Sequence, residues 1–188
     1  MRLLPENTQC MIVDLQEKLL PAMFNRRDCE ERALMMINGL RELEIPMVIS
    51  QQYTRGLGMS VPAVFEAAGT DKYYDKSTFS CAKDEGILAA LTENKEKGYN
   101  NVIVCGTEAH VCVLQTCIDL KELGFQPVLV TDAIASRKKS DLKMALKRAM
   151  QEGVILTTAE ALVFELTLDS KNPKFKAISK IRSEERRV

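Results

Sequence analysis

The sequence predicts a three-layer, doubly wound α/β domain built on a mostly parallel sheet. Three observations lead there. The short runs QCMIV, PMVIS, NVIVC and PVLV are apolar apart from a terminal Gln, Ser or Asn and are of strand length. Between them lie stretches of about 10–15 residues with helical spacing of apolar positions. Three of those stretches close on a glycine, at Gly98, Gly124 and Gly153. Strands that are apolar on every residue are buried on both faces, the situation of a parallel sheet covered by helices on each side.

Taken in order, Gln9–Val13 is the first strand, with Asp14 at its end. Residues 28–43 set Ala33, Met36, Ile37 and Leu40 at helical spacing, and Pro46 follows. Pro46–Ser50 reads as the second strand. QQYTRGLGMSVP then reads as a loop by its glycines and proline. Lys72–Asp75 is a short strand candidate. Asp84–Lys97 is a helix, Asn101–Cys105 a strand, Ala109–Leu123 a helix and Pro127–Val130 a strand. In Ser140–Gln151 the apolar positions 142, 145, 146, 149 and 150 form one stripe, which predicts a helix. Val154–Leu156 is the last strand and Thr158–Leu166 a helix behind it. The tail NPKFKAISKIRSEERRV reads as a short helix running into a charged end that frays from about residue 183. No linker or internal repeat interrupts the chain, so residues 1–188 are expected to form a single domain.

A chain of 188 residues buries roughly 70% of the surface it exposes when unfolded. Lys+Arg and Asp+Glu number 26 each, so the formal net charge is zero. No nucleic-acid or anionic-membrane partner is expected from that balance, and a small-molecule substrate fits it. The start shows no secretory-signal pattern, and no run approaches the ~20 apolar residues of a membrane span. Six cysteines without a C-x-x-C pair read as free thiols in a reducing, cytoplasmic setting. No cysteine precedes an arginine by six positions, which removes the phosphatase loop. In RGLGMSVP the third glycine of a dinucleotide fingerprint would fall on Val61, so that reading fails too.

In an open parallel sheet the ligand crevice lies beyond the carboxyl ends of the strands. The residues to weigh are therefore Asp14, Gln51 to Arg55, Asp75 and Lys76, Gly106 to Cys112, and Asp132. Among them His110 is the chain's only histidine, and Cys112 follows it by two positions. Helical residues two apart point about 200° from one another, so a helical pair would not face each other. His110 is read instead as a helix-start residue satisfied by solvent or a neighbouring loop. The first-turn position of Cys112 favours a thiolate, because unpaired N–H groups and the helix dipole stabilise negative charge there. Asp14 supplies a carboxylate to take the thiol proton, Lys76 an ammonium to hold negative charge, and backbone N–H groups a place for an oxyanion. Alone, each residue has a plainer reading: Asp14 as a cap or turn residue, Lys76 as a solvated loop residue, a cysteine as a small buried hydrophobe. Cys10, Cys105 and Cys117 are read that last way.

The stretches VDLQEKLLPAM, DKSTFSC and CGTEAHVCVLQTCIDL resemble the isochorismatase-like cysteine hydrolase superfamily, over about Pro5 to Ile181. SQQYTRGLG, VTDAIASR and NPKFKAISK resemble its isochorismatase-domain-containing subgroup. The resemblance implies a Rossmann-like six-stranded sheet, an Asp14–Lys76–Cys112 triad, a cis peptide between Thr107 and Glu108, an oxyanion hole from the Glu108 and Cys112 amides, and a homo-oligomer. Nicotinamidases of the superfamily carry an Asp/His metal cluster after the second strand, whereas the matching loop here has no histidine. No metal and no cofactor are expected. Isochorismatases that cleave a vinyl ether lack the cysteine, so Cys112 points to amide or related C–N acyl hydrolysis through a thioester. Gln52, Tyr53 and Arg55 are candidate pocket contacts, and their loop fits a surface turn equally well. The competing reading is a non-catalytic scaffold that binds a partner or senses redox state through its thiol.

Overall fold

A computed structural model describes residues 2–185, so the far end of the expected frayed tail, residues 186–188, lies outside the described residues. The elements are β1 (Thr8–Val13), α1 (Arg26–Glu42), β2 (Met47–Gln52), α2 (Thr54–Leu57), α3 (Pro62–Ala68), β3 (Tyr74–Lys76), α4 (Glu85–Glu96), β4 (Asn101–Thr107), α5 (Leu114–Glu122), β5 (Gln126–Ala135), α6 (Lys139–Gln151), β6 (Ile155–Thr157), α7 (Ala159–Thr167) and α8 (Phe175–Glu185). The six strands lie in the order β3-β2-β1-β4-β5-β6. Every pairing is parallel. The chain winds outward from β1 to β3, returns to the centre at β4, and winds outward the other way. The order therefore reverses between β1 and β4.

Alternation along the central strands explains the three layers. Cys10 and Ile12 of β1, with Ile103 and Cys105 of β4, pack against Ala33, Met36, Ile37 and Leu40 of α1 and Leu162 and Leu166 of α7. Met11 and Val13, with Val102 and Val104, face the opposite way, onto Ile87 and Leu91 of α4, Cys117 and Leu120 of α5 and Ala145 and Ala149 of α6. Successive side chains of a strand point to opposite faces, so a strand apolar at every position binds two helical layers at once. Each fully buried Leu, Ile, Val or Met on these faces contributes about 1.5–3 kcal/mol.

Several boundaries differ from the sequence reading. β2 runs two residues further, so Gln51 and Gln52 belong to the strand rather than the loop. Their extra length comes from β3, whose Tyr74–Lys76 pairs with Ser50–Gln52. The loop that follows contains α2 and α3. Pro62 opens α3 at its first turn, where the missing N–H costs nothing, and Gly69 with φ +70° closes it. β5 continues to Ala135 through an irregularity: Val104 pairs with Leu129, but Gly106 pairs with Ile134. Asp132 thus lies within the strand, where its Oδ1 accepts from the Ala159 amide at 2.8 Å and caps α7. Met150, counted in the apolar stripe of α6, is 56% exposed. The expected helix over Ala109–Leu123 begins as a π-helical turn, Ala109–Val113, before α5.

Candidate active site

The site is built at the carboxyl ends of β1, β3 and β4. Asp14 leaves β1 with φ +47°, a left-handed conformation that Asp tolerates better than most residues. Its backbone is tied to both flanking strands: the Asp14 amide donates to Ser50 O at 3.2 Å, and Thr107 Oγ1 donates to Asp14 O at 2.6 Å. Gly106 has φ +112°, and a Cβ there would run into the backbone of Val13. Only glycine lets β4 approach β1 this closely.

Lys76, the last residue of β3, turns its ammonium inward. Its Nζ donates to Asp14 Oδ2 at 2.7 Å, with both side chains fully excluded from solvent. It also lies 2.6 Å from Gln52 Oε1 and 3.2 Å from each of the Thr78 and Phe79 carbonyls. Four acceptors surround three N–H bonds, so the ammonium is saturated by the protein itself. Ser50 Oγ donates to the other carboxylate oxygen, Asp14 Oδ1, at 2.8 Å.

The Cys112 thiol is 5% exposed, and the thiol and the Asp14 carboxyl act on one another, the carboxyl being pulled down and the thiol pushed up. Burial is the largest influence on both groups. It raises Asp14 above the ordinary carboxylate range, with Lys76 and Ser50 pulling partly back. Burial, then the charge of Asp14, pushes Cys112 up to about 12. Burial is the largest influence on Lys76 and opposes its charge, but the charge of Asp14, its hydrogen bond, and the nearby Cys81 and Cys112 together outweigh it and raise Lys76. The helix-start argument anticipated a lowered thiol. Burial and the neighbouring carboxylate push it up instead, which keeps Cys112 a neutral thiol at pH 7.

The peptide between Thr107 and Glu108 is cis. The Glu108 carbonyl accepts from the Val111 and Val113 amides, on either side of Cys112, at 3.0 and 3.2 Å. The Glu108 side chain pairs with Arg137 Nε at 3.1 and 3.2 Å. His110 turns to other partners: Nδ1 lies 3.0 Å from Ser136 Oγ and Nε2 4.0 Å from Asp141 Oδ2. Of the loop candidates, Gln52 is engaged on both ends of its amide, by Lys76 and by Ser77 O at 3.0 Å. Tyr53 is 59% exposed and Arg55 is exposed on α2.

Two participants had no assigned role in the sequence reading. Ser50 was taken only as the end of a strand, and Cys81 only as a letter of DKSTFSC. Both are fully buried, and Ser50 Oγ lies 3.4 Å from Cys81 Sγ. Nothing local marks them. The register of β2 beside β1, and the turn after β3, bring them to Asp14.

With this geometry in view, the isochorismatase-domain family model matches residues 8–161. The chain belongs to the isochorismatase family. It is 34% identical over 180 residues to isochorismatase domain-containing protein 2 of Danio rerio, covering 96% of this chain and 89% of that one. The structure of MAR1 ribonuclease from Caenorhabditis elegans superposes with a TM-score of 0.87 at 37% identity, covering 96% and 92% of the two chains. The YcaC gene product of Escherichia coli, described as an octameric hydrolase of unknown specificity, superposes with a TM-score of 0.91 at 22% identity, over 98% and 91%. The α/β fold with its six parallel strands is thus that of the family. Among the described residues, no helix is long and apolar enough to cross a membrane.

Proposed function

We propose that this isochorismatase-family protein is a cofactor-independent cysteine hydrolase that cleaves a small amide or related C–N acyl compound. The observation that carries the reading is the dry Asp14–Lys76 ion pair, with the buried Cys112 thiol coupled electrostatically to the same carboxylate. A buried carboxylate is costly unless something uses or neutralises it. Here its two oxygens are held by Lys76 and Ser50, and Cys112, whose thiol is coupled to the same carboxylate, is the proposed nucleophile.

In the proposed cycle the Cys112 sulfur attacks the substrate carbonyl carbon while Asp14 takes the thiol proton. A neutral resting thiol makes that base necessary, because little thiolate is present beforehand. The Glu108 and Cys112 amides are the proposed donors to the tetrahedral oxyanion. As the intermediate collapses, Asp14 returns the proton to the leaving nitrogen, the C–N bond breaks, and a thioester remains on Cys112. Water then gives a proton to Asp14 and attacks the thioester, releasing the acid and restoring the thiol. Lys76 serves mainly to orient and ionise Asp14, since its N–H bonds are already taken.

Substrate contacts from Tyr53 and Arg55, a homo-oligomeric state and a cytoplasmic site of action complete the reading. Six free cysteines fit a reducing compartment, and an octameric protein of the same fold makes assembly a reasonable part of it. The test is a panel of small amides, esters and hydantoins, with RNA included because of the C. elegans relative. Product release is followed together with intact-mass analysis of the protein. Turnover with an acyl adduct on Cys112 supports the hydrolase. A thiol that oxidises but never acylates supports the redox-sensing scaffold instead.

A further inference from the structure

We propose that Ser50 and Cys81 are positioning residues for Asp14, forming a directed relay from the Cys81 S–H to the Ser50 hydroxyl and on to Asp14 Oδ1. The inference rests on the reading of Asp14 as the base for Cys112; it assigns work to Cys81, a buried group that the mechanism does not otherwise use, and a direction to the Ser50 contact.

The direction follows from counting protons. A hydroxyl has one hydrogen to give. Ser50 Oγ lies 2.8 Å from Asp14 Oδ1, and an ionised carboxylate has no proton to offer, so the hydroxyl hydrogen points at Asp14. The contact of the same oxygen with Ile12 O is long, at 3.5 Å. At the 3.4 Å contact between Ser50 Oγ and Cys81 Sγ, the thiol must then be the donor. Burial pushes Cys81 up to about 11, which keeps that donor protonated across the physiological range. A hydrogen bond donated into the Ser50 oxygen polarises its O–H and strengthens the bond to Asp14.

The relay also fixes geometry. Lys76 grips Oδ2 and Ser50 grips Oδ1, so the carboxylate is held at both oxygens and cannot turn about its Cβ–Cγ bond without breaking one of them. Cys81 is anchored in turn: its amide donates to Thr116 Oγ1 at 2.9 Å, and that hydroxyl donates to Cys112 O at 2.7 Å. The group that orients the base and the backbone of the nucleophile therefore hang on the same threonine. Buried hydroxyls are costly when unpaired, and all three side chains are fully enclosed.

The experiment measures the rate of Cys112 alkylation by iodoacetamide against pH, read by peptide mass spectrometry. Ser50→Thr keeps the hydroxyl, and Ser50→Val has the same shape without it. We expect Ser50→Thr to reproduce the acid limb of the wild-type profile. In Ser50→Val that limb should move to higher pH by about one unit, because the ionised carboxylate loses a charge-assisted donor. Cys81→Ser should retain the wild-type limb and Cys81→Ala should move it the same way by a smaller amount, which provides the reading if Ser50→Val fails to fold. Superimposable limbs for Ser50→Thr and Ser50→Val, or for Cys81→Ser and Cys81→Ala, overturn the relay. Asp14→Asn separates the two claims. If it abolishes the acid limb while the Ser50 pair stays unchanged, the relay alone falls. If the limb survives in Asp14→Asn, Asp14 is not the base and both fall.

Discussion

Lys76 Nζ and Asp14 Oδ2 meet at 2.7 Å across 62 residues of sequence, and solvent reaches neither side chain. Breaking such a pair on one side leaves an uncompensated charge in the interior. Lys76→Met should therefore lower unfolding free energy by about 3–5 kcal/mol, as read by urea denaturation. The double variant Lys76→Met/Asp14→Asn should recover much of that loss, because it removes both charges together. Equal destabilisation of single and double variants would show that the cost lies in packing rather than charge.

Cys112→Ala removes the proposed nucleophile and leaves the ion pair standing. Turnover of any substrate identified by the panel should fall by at least about a thousandfold. Circular dichroism and the melting temperature should stay near wild type. Retained turnover would end the thioester mechanism.

His110 stands two residues before Cys112 in sequence but serves Ser136 and Asp141 in space. Replacing it by Gln should change kcat/KM by less than about tenfold, or under about 1.4 kcal/mol. A loss comparable to that of Cys112→Ala would make His110 part of the chemistry.

Alkaline pH should unfold the protein through its buried thiols. In the folded state Cys112 is raised from 9.0 to about 12, and Cys81 from 9.0 to about 11. A group whose folded value is raised contributes stability below its unfolded value, and loses it as pH climbs through the folded one. Between pH 9 and about 12 the unfolded chain sheds protons that the native state keeps, so stability falls with rising pH. The slope is up to about 1.4 kcal/mol per pH unit for each such thiol. Urea melts at pH 8, 9 and 10 should show it, with a shallower decline in Cys112→Ala. A flat profile would place these thiols in a more polar setting.

Gly106→Ala tests the approach of β4 to β1. The new methyl would meet the Val13 backbone, at a φ of +112° that L-residues rarely adopt. Backbone cannot yield as a flexible side chain can, so a loss of more than about 3 kcal/mol is expected, with little soluble protein. A variant as stable as wild type would show that the two strands can separate.

Much of this was legible in the sequence. Uniformly apolar strands and striped helices announced the layered parallel sheet, because burial on one face or two leaves a local period in the chain. Pro62 and Gly69, framing AVFEAA, were signals for α3 that the loop reading of its start obscured. The ends of β2 and β5 were harder. Gln51 and Gln52 are polar yet lie in a strand, because β3 pairs with them, and the irregularity in β5 depends on β4 beside it.

By itself the sequence determined the class of the fold, the strand-end positions of Asp14 and Lys76, the helix-start position of Cys112, and the absence of a histidine cluster, since these depend on residue type and short-range spacing. Tertiary structure alone decided that His110 turns aside, that Lys76 is saturated by four acceptors, that Cys112 rests as a neutral thiol, and that Ser50 and Cys81 stand behind Asp14. The physical reason is that hydrogen-bond partners and desolvation depend on which distant segments pack together, and a period of two or of three and six-tenths carries no record of that.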